Sequence, residues 1–433
     1  MILKNKKLLV VPFVILFLSL CIAQENTIYE QGTLNEKLHL LFPSANITPI
    51  EVLGDFKETY QIILEEPLDH ERPEKGTFKH YMYLSHKGYD LPTVIETEGY
   101  SAQNKITELS TLLNGNQLIV EYRFYGKSRP ETIPWEYLTN DQAIEDYHTI
   151  VTKLKKIYSG KWISTGISKG GETTLIYKSK YPKDVEVAVP YVAPIINTTE
   201  DPRTDHHIKT VGTKECRDKI ITFQRTVLKN RQKVLKEVNQ YITAKDMHFT
   251  EVPIEEALEY AILEFPFSFW QWGGDCAEIP TSKSNQKEQF DYLNKIVGIS
   301  FYNDATYYRL LPSYYQHMKE LGYYGFDTTP VKDLLQIVHR PTNRRFAPKD
   351  VDLTYNPNYM KEVRNFLENK GDHILYIYGE YDTWGACAPS PKRYVKALKM
   401  IKEKGSHKTR IKDFSKKDQK KILEKLDEWL NIK

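Results

Sequence analysis

One stretch of the sequence restricts the fold more than any other: a buried strand that runs directly into the pentapeptide GISKG at residues 166–170. A strand followed by Gly-x-Ser-x-Gly and a helix is typical of a sharp turn that exposes a serine at the edge of a sheet. Gly166 and Gly170 would relieve the side-chain clashes of such a turn and leave Ser168 projecting alone. The backbone N–H of Lys169 would point to the same place as the helix N-terminus, where it can bind an oxyanion. The alternative is an ordinary strand–turn–helix, because glycine and serine are common in loops.

Two residues further along the chain complete a candidate catalytic set with Ser168. A serine hydroxyl is a poor nucleophile at neutral pH, so it needs a base and a group that orients the base. In α/β-hydrolases these residues occur in the order serine, acid, histidine. Asp382 follows a strand-like run and His407 lies in a loop before the last helix, so we predict that Asp382 orients His407, which takes the proton from Ser168. Asp372 and His373 precede the same strand and should lie at its opposite end.

Strands that alternate with helices predict a mostly parallel sheet with right-handed crossovers, and thus an α/β-hydrolase fold with an inserted helical cap. An antiparallel edge hairpin is expected before the parallel part, and a basic helix over about 391–404 near its end. The spacing of apolar residues becomes helical between about Asp201 and Asp352. The predicted units are a signal peptide (1–23), the first part of the sheet domain with an N-terminal arm (24–200), the cap (201–352) and the second part of the sheet domain (353–433).

The loop after an earlier strand should supply the second oxyanion donor, and Glu98-Gly99-Tyr100 occupies that place, so the Tyr100 N–H is our candidate. Glu98 has two interpretations: a structural ion pair, with Arg123 as the partner, or an anchor for the free α-amino group of a substrate. An amine three residues from the scissile bond would lie about 10 Å away. A carboxylate of the cap, such as Asp275 or Glu278, is therefore the alternative anchor.

The N-terminus predicts export. Lysines precede an apolar run that ends before Ala23, as in a secretory signal peptide, so the mature protein should be secreted or periplasmic with no stable membrane span. Lipidation at Cys21 is the alternative. Export permits a disulfide. We favour a bond between Cys216 and Cys276 because both lie in the helical insertion, and Cys387 would then be unpaired.

The net charge and the spacing of cysteine and histidine give no sign of a nucleic-acid partner or a metal site. The chain has 433 residues and a formal net charge of +3, which gives no reason to expect nucleic acid as a partner. No Cys-x-x-Cys or His-x-x-x-His spacing indicates a metal site. We therefore expect no metal and no cofactor, and the oligomeric state is not readable from the sequence.

Several longer motifs resemble secreted serine peptidases related to Pro-X carboxypeptidase and dipeptidyl peptidase II, and most of all serine peptidase family 37, the prolyl tri- and tetrapeptidyl aminopeptidases. These motifs are PLDH with GTF (67–70, 76–78), EGY (98–100), EYRFYGKS (121–128), LTNDQA (138–143), YVAP (191–194), DPR (201–203), GT (212–213) and CR (216–217). The resemblance implies the triad given above and release of short peptides from free N-termini. The chain departs from the family at Tyr122, where relatives usually have His.

The function expected is that of a secreted, cofactor-independent serine exopeptidase, which releases peptides of about three residues through an acyl-enzyme. Its partners would be peptide substrates, and proline before the scissile bond is a possible preference. Four aromatic residues are candidates for the pocket wall: Tyr100, Trp270, Trp272 and Trp384. An esterase or lipase on the same fold is the alternative, although no HGGG-type oxyanion loop is present. A binding protein on an inactive scaffold is a third reading, against which the intact triad argues.

Overall fold

A nine-stranded sheet crosses the molecule in the order β1-β2-β3-β5-β4-β6-β7-β8-β9. The computed structural model describes residues 29–431, so the predicted signal peptide at 1–23 lies outside the described residues. The strands are β1 (Asn46–Pro49), β2 (Glu58–Pro67), β3 (Thr77–His86), β4 (Thr93–Thr97), β5 (Asn116–Val120), β6 (Trp162–Ile167), β7 (Val187–Tyr191), β8 (Ile374–Gly379) and β9 (Ala397–Lys402). The main helices are α1 (Leu34–Leu41), α2 (Glu108–Leu112), α3 (Asn140–Leu154), α4 (Lys169–Lys180), α5 (Pro202–Thr210), α6 (Lys214–Lys229), α7 (Arg231–Ala244), α8 (Ile254–Trp272), α9 (Gln286–Ile296), α10 (Asp304–Gln316), α11 (Tyr359–Asn369) and α12 (Lys416–Leu430).

The sheet is antiparallel from β1 to β5 and parallel from β5 to β9. Every residue of β4, β5, β7 and β8 is buried, as expected of parallel strands that are covered on both faces. Helices α3, α4 and α11 pack on one face, and α2 and α12 pack on the other. The predicted α/β-hydrolase fold with an inserted helical cap is confirmed.

The insertion between β7 and β8 begins with α5 and contains no strand among the described residues. A short π-helical segment, His317–Leu321, continues α10. The structure joins Cys216 in α6 to Cys276 just beyond α8, with 5.4 Å between the Cα atoms, and leaves Cys387 as a buried free thiol. Within residues 29–431, no helix combines the length and the apolar character that a membrane span requires.

Two expectations about the sheet are wrong. The predicted basic helix over about 391–404 contains strand β9, which pairs in parallel with β8 from Ala397 to Lys402. Its alanine, leucine, methionine and lysine residues favour a helix, but pairing with β8 overrides that propensity, and lysines suit an edge strand. The predicted edge hairpin, β2 with β3, is not at the edge, because the N-terminal arm supplies β1 as an outer strand.

Candidate active site

The turn between β6 and α4 holds Ser168 in a rare backbone conformation, with φ 57° and ψ −123°. Its N–H donates to the Tyr191 carbonyl at 2.9 Å, and its carbonyl accepts from the Glu172 N–H at 2.9 Å. A Cβ on Gly166 would lie 2.3 Å from backbone atoms of Gly170, so the chain can close this turn only with glycine. Such strain persists where neighbouring contacts hold the residue in place.

Asp382 and His407 meet at the ends of β8 and β9. The His407 Nδ1 lies 2.8 Å from Asp382 Oδ2, and both side chains are almost fully buried. The other Asp382 oxygen accepts from the Trp384 N–H at 3.3 Å. Because the carboxylate binds Nδ1, the second ring nitrogen of His407 is left to accept a proton. Ser168 and His407 both line one cavity of about 520 Å³.

The loop that carries His407 is fixed from two sides. The His407 N–H donates to the Gln271 carbonyl at the end of α8 at 2.8 Å, which ties this loop to the cap. The Tyr381 N–H donates to the Gly405 carbonyl at 2.8 Å, which ties the loop to the end of β8. The rings of Trp272 and His407 pack nearly at right angles, with 5.5 Å between the centroids. Strand β9, which sequence reasoning missed, is therefore the element that brings His407 to Asp382.

The loop from Glu98 to Tyr100 packs directly on the start of α4. A Cβ on Gly99 would lie 2.5 Å from the Gly170 nitrogen, so no side chain fits between the two backbones. Within the described chain, the Tyr100 N–H donates to no backbone or side-chain acceptor. Lys169 is the first residue of α4, so its N–H has no acceptor inside the helix. Both residues line the cavity, and their N–H groups are available to a substrate oxygen.

The Glu98 carboxylate lines the cavity but already has a cation. Lys105 lies 2.5 Å from it and 2.8 Å from Glu96. Burial and the charge of Glu96 raise the pKa of Glu98 to about 7, although Lys105 opposes them. The predicted pairing of Glu98 with Arg123 is wrong, because that guanidinium is turned away to a different carboxylate.

Arg123 belongs to a buried ion-pair cluster outside the cavity. Its Nε and one terminal nitrogen each lie 2.8 Å from an oxygen of Asp146. Asp146, Glu66 and His70 are also the one group among the described residues that could hold a metal ion. Arg123 engages both oxygens of Asp146, and His70 contacts one of them at 2.7 Å, so Asp146 is the carboxylate of an ion pair with Arg123 and a histidine.

Two carboxylates that sequence reasoning missed line the same cavity, Glu172 of α4 and Glu264 of α8. Burial raises the pKa of Glu172 to about 8 and that of Glu264 to about 7. Glu264 accepts hydrogen bonds from the Ser268 and Tyr324 hydroxyls at 2.8 and 2.5 Å, and no cation pairs with it in the described chain. A sequence signal existed, because Glu264 is a single carboxylate within a long apolar run of α8.

The two cap acids expected as anchors do not line the cavity. Glu278 is half exposed and pairs with Lys295 at 2.6 Å. Asp275 accepts from the Ala277 N–H at 2.8 Å in an exposed turn. The carboxylate that the cap contributes to this cavity is thus Glu264, in α8, which precedes the loop that carries Asp275 and Glu278.

Aromatic rings form one wall of the cavity. Trp384 packs edge-on against Phe267 at 4.9 Å and lies 5.4 Å from the ring of Tyr323. Tyr100, Trp272 and Trp384, three of the four aromatic residues expected in the pocket, line the cavity. The fourth, Trp270, is instead buried in the cap core.

The sequence is similar to that of known peptidases. Residues 55–394 match the family described as PS-10 peptidase S37. The chain is 33% identical over 325 residues to the prolyl tri/tetrapeptidyl aminopeptidase of Streptomyces mobaraensis, a match that covers 74% of this chain and 68% of that protein.

Solved structures of similar topology are more distant. Proline iminopeptidase from Mycobacterium smegmatis is 12% identical, with a TM-score of 0.39 and coverage of 89% of this chain and 99% of that one. An α/β fold family hydrolase from Bacillus anthracis is 15% identical, with a TM-score of 0.34 and coverage of 89% and 98%. A likeness at this level carries no argument about activity.

Proposed function

The chain belongs to the PS-10 peptidase S37 family, as its motifs indicated, and on that premise we propose that it is a secreted exopeptidase that releases short peptides from free N-termini. That it is a serine peptidase follows from the family. The observation that carries the finer proposal is that Ser168, the Asp382-bound His407 and buried carboxylates line the same cavity.

The proposed reaction begins at the Ser168 hydroxyl. His407 accepts its proton as the oxygen attacks the scissile carbonyl, and Asp382 stabilises the imidazolium that forms. The N–H groups of Lys169 and Tyr100 bind the resulting oxyanion. His407 then gives the proton to the leaving amine, and an acyl-enzyme remains on Ser168. Water, activated by the same histidine, releases the peptide.

The cap explains why the substrate should be a chain end. Residues of α8 and of the π-helical segment, among them Glu264, Ser268 and His317, form part of the wall around Ser168. A folded protein chain cannot enter a cavity of about 520 Å³, whereas a short extended terminus can.

Glu264 is our proposed anchor for the free α-amino group. It is buried and has two neutral hydroxyl donors but no cation, so a substrate ammonium would supply the missing charge. Glu98 already has Lys105, and Glu172 lies one helical turn from Ser168, which is short for an amine three residues from the scissile bond. Glu98 therefore becomes the second candidate.

The aromatic wall suits an apolar ring before the scissile bond. Phe267, Tyr324 and Trp384 form a close cluster beside the site, and proline would present a flat apolar ring to it. We propose this wall as the basis of a proline preference, in agreement with the similarity to the prolyl tri/tetrapeptidyl aminopeptidase of Streptomyces mobaraensis.

Secretion is proposed from the leader at 1–23, and the Cys216–Cys276 disulfide is consistent with an oxidising compartment. Expression of the full chain in a bacterial host with fractionation and N-terminal sequencing would test this. Cleavage after Ala23 with export supports the proposal, and an uncleaved cytoplasmic product contradicts it.

The experiment that tests the proposed activity is a panel of chromogenic anilides with one to four residues before the anilide, each with a free and an acetylated N-terminus. We expect fastest cleavage of free tripeptides that end in proline. Equal rates on free and acetylated substrates would contradict exopeptidase activity.

A further inference from the structure

The Lys169 side chain folds back against the oxyanion loop. It is 3% exposed, and its Nζ donates a hydrogen bond to the Gly99 carbonyl at 2.9 Å. The Gly99 carbonyl and the Tyr100 N–H are the two ends of one peptide group. The ammonium therefore binds the far end of the amide whose N–H is the proposed second oxyanion donor.

We propose that Lys169 is a positioning residue that orients and polarises the Gly99–Tyr100 peptide, an inference that rests on the proposed function. A hydrogen bond from a cation is stronger than a neutral one, and bonds in a chain polarise one another. An ammonium at the carbonyl draws amide electron density toward oxygen, which makes the N–H a stronger donor. That donor acts when negative charge develops on the substrate oxygen.

The other carbonyls of this loop are held by neutral donors. The Glu98 carbonyl accepts from the Tyr147 hydroxyl at 3.2 Å, and the Tyr100 carbonyl accepts from the Tyr122 N–H at 3.1 Å. Of the three successive carbonyls, only that of Gly99 is bound by a cation. The charge thus acts on the one peptide whose N–H is the proposed second oxyanion donor.

Aromatic rings hold the ammonium in place. The Nζ lies 3.6 Å from the ring centroid of Tyr122, 5.1 Å from that of Tyr125 and 5.7 Å from that of Tyr100. In the described chain, Lys169 forms no ion pair with a carboxylate within 4.0 Å. Tyr122 supplies the nearest ring of this cage.

The charged groups around Lys169 set its titration. Burial lowers the pKa of Lys169 to about 7. The negative charges of Glu172 on the same helix and of Glu320 on the π-helical segment oppose this shift but do not cancel it. Burial and the charge of Lys169 lower the pKa of His317 to about 3, so that ring is neutral near pH 7. Protonated Lys169 should therefore support catalysis below about pH 7 and lose its effect above it.

The first experiment compares Lys169→Met with Lys178→Met. Lys178 is a matched control on the same helix, because its buried Nζ also donates to backbone carbonyls, those of Val185 and Pro182, but about 13 Å further along the helix. Loss of a whole oxyanion donor costs about 10²–10³-fold in kcat, so weakening one should cost about 10- to 100-fold, with KM changed less than about twofold. Lys178→Met should keep kcat within about twofold.

The second experiment needs no turnover. A tripeptide aldehyde lets Ser168 Oγ add to the carbonyl carbon while its proton passes to His407 and the carbonyl electron pair moves to the oxygen. The matching tripeptide alcohol cannot form this adduct. Lys169→Met should weaken binding of the aldehyde by about 10- to 100-fold and binding of the alcohol by less than about twofold. In the wild type, the ratio of the two affinities should fall above about pH 7, and this fall should be absent from the variant.

The outcomes distinguish a failure of the Lys169 proposal from a failure of the proposed function. The role of Lys169 would be overturned by equal weakening of aldehyde and alcohol binding, by an unchanged kcat, or by an equal loss of kcat in Lys178→Met. If the Met variant does not fold, Lys169→Gln, which is polar but uncharged, replaces it, and the wild-type pH profile stands on its own. A wild type that forms no aldehyde adduct would instead refute the proposed function.

Discussion

Replacement of Glu264 by glutamine isolates the charge that we assign to recognition of the substrate N-terminus. Glutamine has nearly the shape of glutamate, and the Ser268 and Tyr324 hydroxyls can rotate to meet its amide. The variant therefore keeps the wall of the cavity but removes the negative charge. No part of the triad or of the oxyanion loop is altered.

The size of the effect follows from the burial of this carboxylate. A hydrogen bond to a charged partner is worth about 1.5–3 kcal/mol, which corresponds to a loss of about 10- to 150-fold in kcat/KM on substrates with a free amine. Acetylated substrates have no ammonium, so their slow cleavage should change less than about twofold.

The raised pKa of Glu264 adds a pH signature. Only the ionised carboxylate binds an ammonium, so the ratio of kcat/KM on free-amine substrates to kcat/KM on acetylated substrates should rise with pH through about 7, since effects common to both substrates, such as that of Lys169, cancel in this ratio. It should fall again as the peptide amine loses its proton near about pH 8. The rising limb should be absent from Glu264→Gln.

The same shift affects stability. Because the pKa is raised from 4.5 to about 7 on folding, the unfolded state binds fewer protons between these values, and stability falls as the pH rises. Above about pH 7 the cost is at most about 3 kcal/mol, so Glu264→Gln should melt at a higher temperature than the wild type at pH 8. The difference should vanish near about pH 4.5.

Glu278→Gln is the matched control, since Glu278 is a cap carboxylate that pairs with Lys295 at the surface. Steady-state kinetics on paired free and acetylated tripeptide anilides, with thermal unfolding of each variant, provide the assay. An equal loss on both substrate types, or an equal effect of Glu278→Gln, would refute the role of Glu264.

Three further results are expected. Ser168→Ala or His407→Ala should lower kcat by roughly 10⁴–10⁶-fold and Asp382→Asn by about 10⁴-fold, and a single variant that folds but keeps more than roughly a tenth of wild-type kcat would contradict the triad. Glu98→Gln should reduce cleavage of free and acetylated substrates equally, because Lys105 already neutralises Glu98; a loss confined to free amines would move the anchor to Glu98. Cys276→Ser opens a 60-residue loop and should cost roughly 4 kcal/mol of stability, which urea unfolding measures; unchanged stability would show that the bridge does not form.

Much of the sheet domain could be predicted because the pattern of apolar residues in its strands and helices is clear. The strand before Ser168 and the helix Asn140–Leu154 follow from apolar periodicity alone. Strand β9 could not be predicted in this way, since its residues favour a helix and only its pairing with β8 decides its conformation. The same holds for β1, which is short and largely exposed.

Chain order predicted that Ser168, Asp382 and His407 lie near one another, because each follows a strand end that the fold brings to one edge. Contacts between segments that are distant in the sequence could not be predicted from the order of residues. Arg123 turns to Asp146 instead of Glu98, and Glu264 reaches the cavity only because α8 crosses above Ser168. Pairing of side chains across an insertion depends on packing that periodicity does not encode.

The most direct test of the central claim is to trap the acyl-enzyme. A free tripeptide ester is mixed with the mature protein, the reaction is quenched in acid, and the modified peptide is located by mass spectrometry. We predict the mass of one tripeptidyl group on Ser168, absent from Ser168→Ala and greatly reduced with the acetylated ester. Hydrolysis that persists in Ser168→Ala, or an acyl group on another residue, would contradict the account.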